Sequence, residues 1–276
     1  MLIDLHIHTQ YSDGSQTPEQ VAAEAVHQKL PVISVTDHNT TAAYDRLEVV
    51  CQKLNLRLVR GMELDVAWRD RALHLLGYAF DRRDPGIVAM LRRTFEEYTR
   101  FDEDLIANLS RNYPQLSVAG FRAYRDDHSQ GGWKNTNYLK AMGVVENVAD
   151  GIKFFATHST YEIQYPRLAE ACALISQAGG VPVLAHPGNW WDEHTEGLLD
   201  IFSELQRQGV AGIECVYPSH SPAMTKLCLD FCRGHDLRTT AGGDGHGVFN
   251  RVVNGVTYDI GVVRGDTEEL DLRGIL

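Results

Sequence analysis

The sequence predicts an α/β fold of alternating strands and helices, a parallel sheet or a barrel, interrupted by a helical insertion. Two observations predict it. Short β-prone runs alternate with helical stretches across residues 1–84 and again across 162–276, the expected barrel domain. Between them, residues 85–161 carry helical patterns and no convincing strand, so they form the expected insertion over the barrel mouth. A chain of 276 residues accommodates one such barrel with a smaller inserted unit.

Leu2–Ile7 reads as the first strand, and Thr17 caps a helix to about Gln28 with Pro18 at its first position. Val32–Thr36 is a buried strand ending in T-D-H, Thr41–Leu54 is helical, and Leu56–Val59 is a strand followed by G-M-E-L-D-V. Ala72–Tyr78 is a further strand with His74 inside it. In the insertion, Ile87–Leu109 is one long helix, followed by shorter pieces at Val118–Tyr124, Asn137–Met142 and Val144–Phe155. Alternation resumes with helix Pro166–Gln177, strand Val181–Ala185, helix Glu196–Gln208, strand Gly212–Cys215, helix Ser221–Arg233 and strand Arg238–Ala241.

Hydrophobic residues make up 43% of the chain, enough for a substantial core. The formal net charge of -11 argues against sequence-independent binding along nucleic acid. It leaves room for a small phosphorylated substrate, because bound metal ions supply local positive charge. Asp4, His6 and His8 interrupt the N-terminal apolar run, so neither a signal peptide nor a membrane anchor is expected there. The five cysteines are odd in number and lack zinc-finger spacing. The expectation is a reduced, cytoplasmic protein, monomeric or a small homo-oligomer.

Residues able to ligate metal recur at strand ends. In L-H-I-H-T-Q-Y-S-D-G, His6 and His8 share one strand face, and Asp13 follows in the loop. His38 follows the second strand, Glu63 the third, and His74 lies on the next. His186 stands in A-H-P-G, while Asp244 and His246 stand in G-D-G-H-G. Singly, each residue reads as a loop hydrogen bond or a turn. Loops after the strands of a barrel converge on one rim, and nine imidazoles and carboxylates there exceed the needs of one ion. The set predicts two or three divalent ions held by nitrogen and oxygen: Mn, Fe or Zn.

H-I-H, S-D-G, V-T-D-H-N, G-M-E, H-L-L-G-Y, A-H-P-G and G-D-G-H-G, in this order, resemble the ligand motifs of the PHP family, named for polymerase and histidinol phosphatase. The resemblance spans nearly the whole chain and is weakest in the insertion. It implies a distorted (β/α)7 barrel with a trinuclear metal centre and phosphoesterase activity. It is strongest toward bacterial enzymes that remove phosphate from nucleotides, nucleoside 3',5'-bisphosphates or short oligonucleotides. Carried over, His6, His8, Glu63 and Asp244 would hold one ion. Glu63 would bridge to a second, completed by His74 and His186, and Asp13, His38 and His246 would hold a third. Glu63 and Asp244 are thereby the expected catalytic carboxylates, since a bridging carboxylate brings two cations close enough to acidify a shared water. His220, in E-C-V-Y-P-S-H-S-P, matches a family position near the substrate phosphate, implying phosphate binding or proton donation.

The insertion departs from the family pattern. Where relatives carry an S-R-x-H-I/F-A-R-like stretch, this chain has G-G-W-K-N-T-N-Y-L-K. Gly132 takes the place of the first arginine, Lys134 that of the histidine and Asn137 that of the second arginine. Arg125, His128 and Lys134 are the residues available to compensate, and Trp190, directly after A-H-P-G-N, is placed to stack on a base or sugar. The expected activity is hydrolysis of a nucleotide or phosphosugar phosphomonoester. A cyclic phosphate, a non-catalytic PHP module and a metal-dependent C–N or C–O hydrolase are the alternatives.

Overall fold

In the computed structural model, which describes residues 1–249, 259–263 and 265–276, the strands form one mixed sheet that curls almost to closure. The strands are β1 (Leu2–Asp4), β2 (Val32–Val35), β3 (Arg57–Trp68), β4 (Arg71–Tyr78), β5 (Val181–Leu184), β6 (Gly212–Val216), β7 (Arg238–Ala241) and β8 (Gly265–Asp266). Their order across the sheet is β7-β6-β5-β4-β3-β2-β1-β8. Pairing is parallel from β1 through β3 and from β5 through β7, whereas β4 runs antiparallel to both its neighbours. Closure comes from the chain just beyond β1. Leu5 donates its N–H to Ala241 O at 3.1 Å, His8 donates to Gly245 O at 2.9 Å, and Ile7 pairs in parallel with Gly245.

The helices pack around this barrel. α1 (Pro18–His27) begins with a reciprocal cap: Gln20 N–H donates to Thr17 Oγ1 and Thr17 N–H to Gln20 Oε1. It buries Val21, Ala22 and Ala25. α2 (Tyr44–Lys53), α7 (Leu168–Gln177), α8 (Leu198–Arg207) and α9 (Pro222–His235) complete the surround, each burying an apolar stripe.

Between β4 and α7 lie α3 (Pro85–Leu109), α4 (Val118–Ala123), α5 (Lys134–Ala141) and α6 (Val148–His158). They share a cluster of their own that includes Leu105, Leu109, Phe121, Tyr138 and Leu139. Several boundaries differ from expectation for local reasons. Gly143, at φ +69°, closes α5, and Asn147 caps α6 by accepting from Asp150 N–H, so Val144–Asn147 lies outside a helix. The third strand continues through G-M-E-L-D-V to Trp68 instead of ending at Val59. Met62, Leu64, Val66 and Trp68 alternate into the core, while Glu63 and Asp65 occupy the opposite face. Arg69 and Asp70, with Arg69 at φ +53°, turn the chain back into β4, so this pair is a hairpin and not a crossover. The short β8 was not anticipated.

The hydroxyl of Tyr44, at the start of α2, reaches the barrel backbone. Tyr44 Oη lies 2.6 Å from Val35 O and 3.0 Å from Val59 O, donating its proton to one of them, and accepts Gly61 N–H at 2.6 Å. Tyr44→Phe strands that buried N–H and a carbonyl. The expected result is a loss of about 1–3 kcal/mol in denaturant unfolding with the slope unchanged.

A second effect depends on pH. Burial pushes the Asp102 carboxyl up to about 7, despite the hydrogen bond it accepts from Asn135 Nδ2 at 2.6 Å. The protonated acid is therefore the form the fold prefers. Its contribution is complete below the ordinary value of 3.8 and is lost as pH rises through about 7. Thermal melts of wild type and Asp102→Asn between pH 4 and 8 should show the wild type losing stability relative to the variant as pH rises, with the difference levelling off above pH 7.

Candidate metal centre

Residues on or just after β1, β2, β3, β4, β5 and β7 converge in one cluster. Past β1, Leu5 and Ile7 point into the core while His6 and His8 face the mouth, and all four are buried. Asp4 fixes this segment by accepting N–H groups from His6 at 3.2 Å, Gly243 at 3.0 Å and Gly261 at 2.8 Å. Asp37, after β2, accepts from Thr9 N–H and Thr9 Oγ1, both at 2.7 Å, and from Ser12 Oγ at 2.8 Å. It thereby shapes the loop that delivers Asp13. His186 and Asp244 sit at φ +25° and +51°, conformations uncommon for residues with a side chain.

Glu63 lies at the centre and is fully buried. Its Oε2 is 3.2 Å from both His6 Nε2 and His8 Nε2 and 3.3 Å from His38 Nδ1. Its Oε1 is 3.0 Å from His74 Nδ1 and from His186 Nε2. Asp244 Oδ1 lies 3.3 Å from His6 Nε2 and 3.1 Å from His8 Nε2. Asp13 Oδ1 is 3.2 Å from His246 Nε2 and 3.7 Å from His8 Nδ1, and Asp13 Oδ2 is 3.9 Å from His38 Nε2. Four overlapping groups result, with ligating atoms within 4.8 Å of one another: His6, His8, Glu63 and Asp244; Glu63, His74 and His186; His8, Asp13, His38 and His246; and His38, Asp65 and His74.

Charge compensation is mutual. Burial alone would raise the Glu63 carboxyl, but the imidazoles of His6, His74 and His38 overcome it and hold the group well below the usual carboxylate range. Asp244 is held down similarly by His6, His246 and His8 against its burial. His8, whose burial would lower it, is raised to about 10 by Asp244 and Glu63.

This donor set fits divalent metal. Imidazole nitrogens face one another at 3.1 Å (His6 and His8) and 3.2 Å (His74 and His186), and the buried atoms Asp13 Oδ1 and His38 Nδ1 have no hydrogen-bond partner. Imidazole and carboxylate atoms converging this closely form a pocket for cations, which on binding would take the place of the ring protons. Nitrogen and oxygen donors without thiolate suit first-row divalent ions over a structural zinc site.

The nine residues singled out as ligands thus come together. Trp190 stands beside them, its ring edge-on to His74 at 5.4 Å. The other expected substrate contacts lie in the loop after β6, which carries His220, and between β4 and α7, where Arg125, His128 and Lys134 stand. His220 has both ring nitrogens engaged: Nδ1–H donates to Cys215 O at 3.0 Å and Nε2 accepts Gly188 N–H at 3.0 Å. Lys134 Nζ lies over the Phe121 ring at 4.8 Å and donates to Arg122 O, contacts internal to the insertion. Arg125 is exposed, and His128 lines a cleft with Gln10, Tyr11 and Ser15 of the loop that carries Asp13. Gly132 has φ +85° and donates N–H to Asp13 O at 2.7 Å. A Cβ there would meet Val148 Cγ1 at 2.8 Å, so this backbone does not accept the arginine that the family resemblance would place here.

Sequence reasoning missed three buried partners. Asp65 Oδ1 is 3.1 Å from His74 Nε2, and Asp65 Oδ2 accepts from Tyr98 Oη of α3 at 2.6 Å. Its signal was its position two residues after Glu63, on the same strand face. Glu214 accepts from His6 Nδ1 and His186 N–H, and Tyr217 Oη donates to Asp244 Oδ2 at 2.7 Å.

Comparisons with known proteins agree with this geometry. The chain is 27% identical over 266 residues to the phosphoribosyl 1,2-cyclic phosphate 1,2-diphosphodiesterase of Eggerthella lenta, covering 91% of this chain and 97% of that one. It is 26% identical to a 5'-3' exoribonuclease of Escherichia coli, covering 89% and 85%, and 26% identical to a 3',5'-nucleoside bisphosphate phosphatase of Chromobacterium violaceum, covering 88% and 87%. Among solved structures, a Bifidobacterium adolescentis protein assigned as a metal-dependent phosphoesterase superposes with TM-score 0.80 at 26% identity, covering 99% of this chain and 95% of that one. Residues 4–211 match the PHP domain family, and the chain belongs to it.

Proposed function

We propose that this chain is a metal-dependent phosphoesterase acting on a phosphate ester of a pentose unit, a nucleotide or a phosphosugar. One observation carries the reading: Glu63 is shared between two groups of converging donors, with a third alongside. Two to three divalent ions, Mn, Fe or Zn, would be held by His6, His8, Glu63 and Asp244, by Glu63, His74 and His186, and by Asp13, His38 and His246. Such ions, when bound, lower the pKa of water and offset charge on a phosphoryl group.

The chain's own residues supply the rest. Glu63 spans two donor groups and fixes their separation, and Asp244 reaches both His6 and His8. Trp190, beside His74, offers an apolar wall to the organic part of a substrate. Within the insertion we assign the outer contact to His128, whose cleft borders the Asp13 loop, in preference to Lys134, whose ammonium is engaged with Phe121.

The pentose is the common denominator of the named relatives, which act on a phosphoribosyl cyclic phosphate, on RNA and on a nucleoside bisphosphate. A second reading, hydrolysis of a five-membered cyclic phosphate, is favoured by the Eggerthella lenta relative and by the backbone at Gly132, which has no room for the phosphate-binding arginine that the family resemblance implies.

A panel of nucleoside monophosphates, 3',5'-bisphosphonucleotides, pentose phosphates, five-membered cyclic phosphates and amides, assayed with manganese, tests the proposal. Turnover of a phosphate ester, abolished by chelator and restored by metal, is expected. Hydrolysis of amides alone would overturn it.

Glu63→Gln should lower bound metal per chain, measured by elemental analysis, and reduce kcat/KM by at least about tenfold. Full metal content together with full activity in that variant would contradict the assigned site.

A further inference from the structure

β6 delivers no residue to the four donor groups, yet Glu214 on it and Tyr217 directly after it touch three residues that belong to them. Glu214, fully buried, uses both carboxylate oxygens: Oε1 accepts from His6 Nδ1 at 2.9 Å, and Oε2 accepts from His186 N–H at 2.9 Å. Accepting from Nδ1–H leaves the lone pair of His6 on Nε2, the nitrogen that faces His8, Glu63 and Asp244. The bond to His186 N–H holds the A-H-P-G turn, where His186 adopts φ +25°. Space for this contact depends on Gly242, where an added Cβ would meet His6 Cβ at 2.2 Å and Glu214 Oε1 at 2.9 Å.

Strand periodicity would send residues 214 and 217 to opposite faces. The β6–β7 register shifts between Glu214 and Val216, so a bulge at Cys215 brings Tyr217 round to the same side as Glu214. There Tyr217 Oη donates to Asp244 Oδ2 and accepts from Asn189 Nδ2 at 3.3 Å. Cys215 itself turns into the core, and its carbonyl receives His220 Nδ1–H.

We propose that the bulged β6 is the positioning strand of the metal centre: Glu214 sets the tautomer of His6 and the turn of His186, and Tyr217 aims Asp244. This rests on the metal-dependent reading above. It also recasts His220 as a tie between β6 and Gly188, a positioning residue and not a proton donor.

The test uses the full chain and metal ions alone. Glu214→Gln retains size but presents one oxygen and one amide, so it cannot accept from both His6 and His186. Manganese affinity, read by competition with a chromogenic chelator, should fall about 10–100-fold in Glu214→Gln and less in Tyr217→Phe. The visible spectrum of the cobalt-loaded protein should shift in both. A purely structural role would lower the metal-free melting temperature and leave the affinity and spectrum of the folded protein unchanged; that result overturns the proposal. If Glu214→Gln fails to fold, Tyr217→Phe, which removes only one hydroxyl, decides by the same two readouts. Wild type that binds no manganese or cobalt overturns the metal reading itself; wild-type binding with unaltered variants overturns only the role of β6.

Discussion

A carboxylate removed from water must find a positive or donating partner for each oxygen, or it does not stay ionised. Glu63 meets that requirement from five directions, through imidazoles on the segments after β1 and β2, on β4 and after β5. No local stretch of chain could satisfy it. The barrel must close for His6 and His8 to meet Glu63, and the hairpin must return antiparallel for His74 to face it. Fold and site are thus one constraint read at two scales.

The same logic explains why further carboxylates stand behind the clustered histidines. A ring that offers one nitrogen to a cation leaves the other to be satisfied, and an oriented acceptor fixes which nitrogen is which. Glu214 behind His6 and Asp65 behind His74 fill that place. Tyr98 on α3 donates in turn to Asp65, so among the described residues two hydrogen bonds link the helical segment between β4 and α7 to the barrel mouth. The second link is Gly132 N–H to Asp13 O, made with a backbone that excludes a side chain.

Much of this was legible in the sequence. Histidine and aspartate at the ends of apolar strands conflict with burial, and the conflict recurred often enough to mark nine residues that the fold brings together. Strand alternation correctly paired His6 with His8. Three things were not legible. β3 runs past Val59 through G-M-E-L-D-V, whose two acids are matched by histidines that only folding brings close: His6 from the far end of the chain for Glu63, and His74 across the hairpin for Asp65. Tyr217 reaches the site only through a bulge, which changes parity without a distinctive residue type. His220 was visible by position, but its two backbone partners, Cys215 O and Gly188 N–H, depend on how β6 and the A-H-P-G turn pack.

The central claim is that Glu63 joins two metal positions. Anomalous X-ray diffraction from crystals grown with manganese tests it most directly. The expected map has separate anomalous peaks within coordination distance of each Glu63 oxygen, one also reaching His6 and His8 and the other His74 and His186. A map with no peak in this cluster, or with peaks that leave Glu63 untouched, would contradict the account.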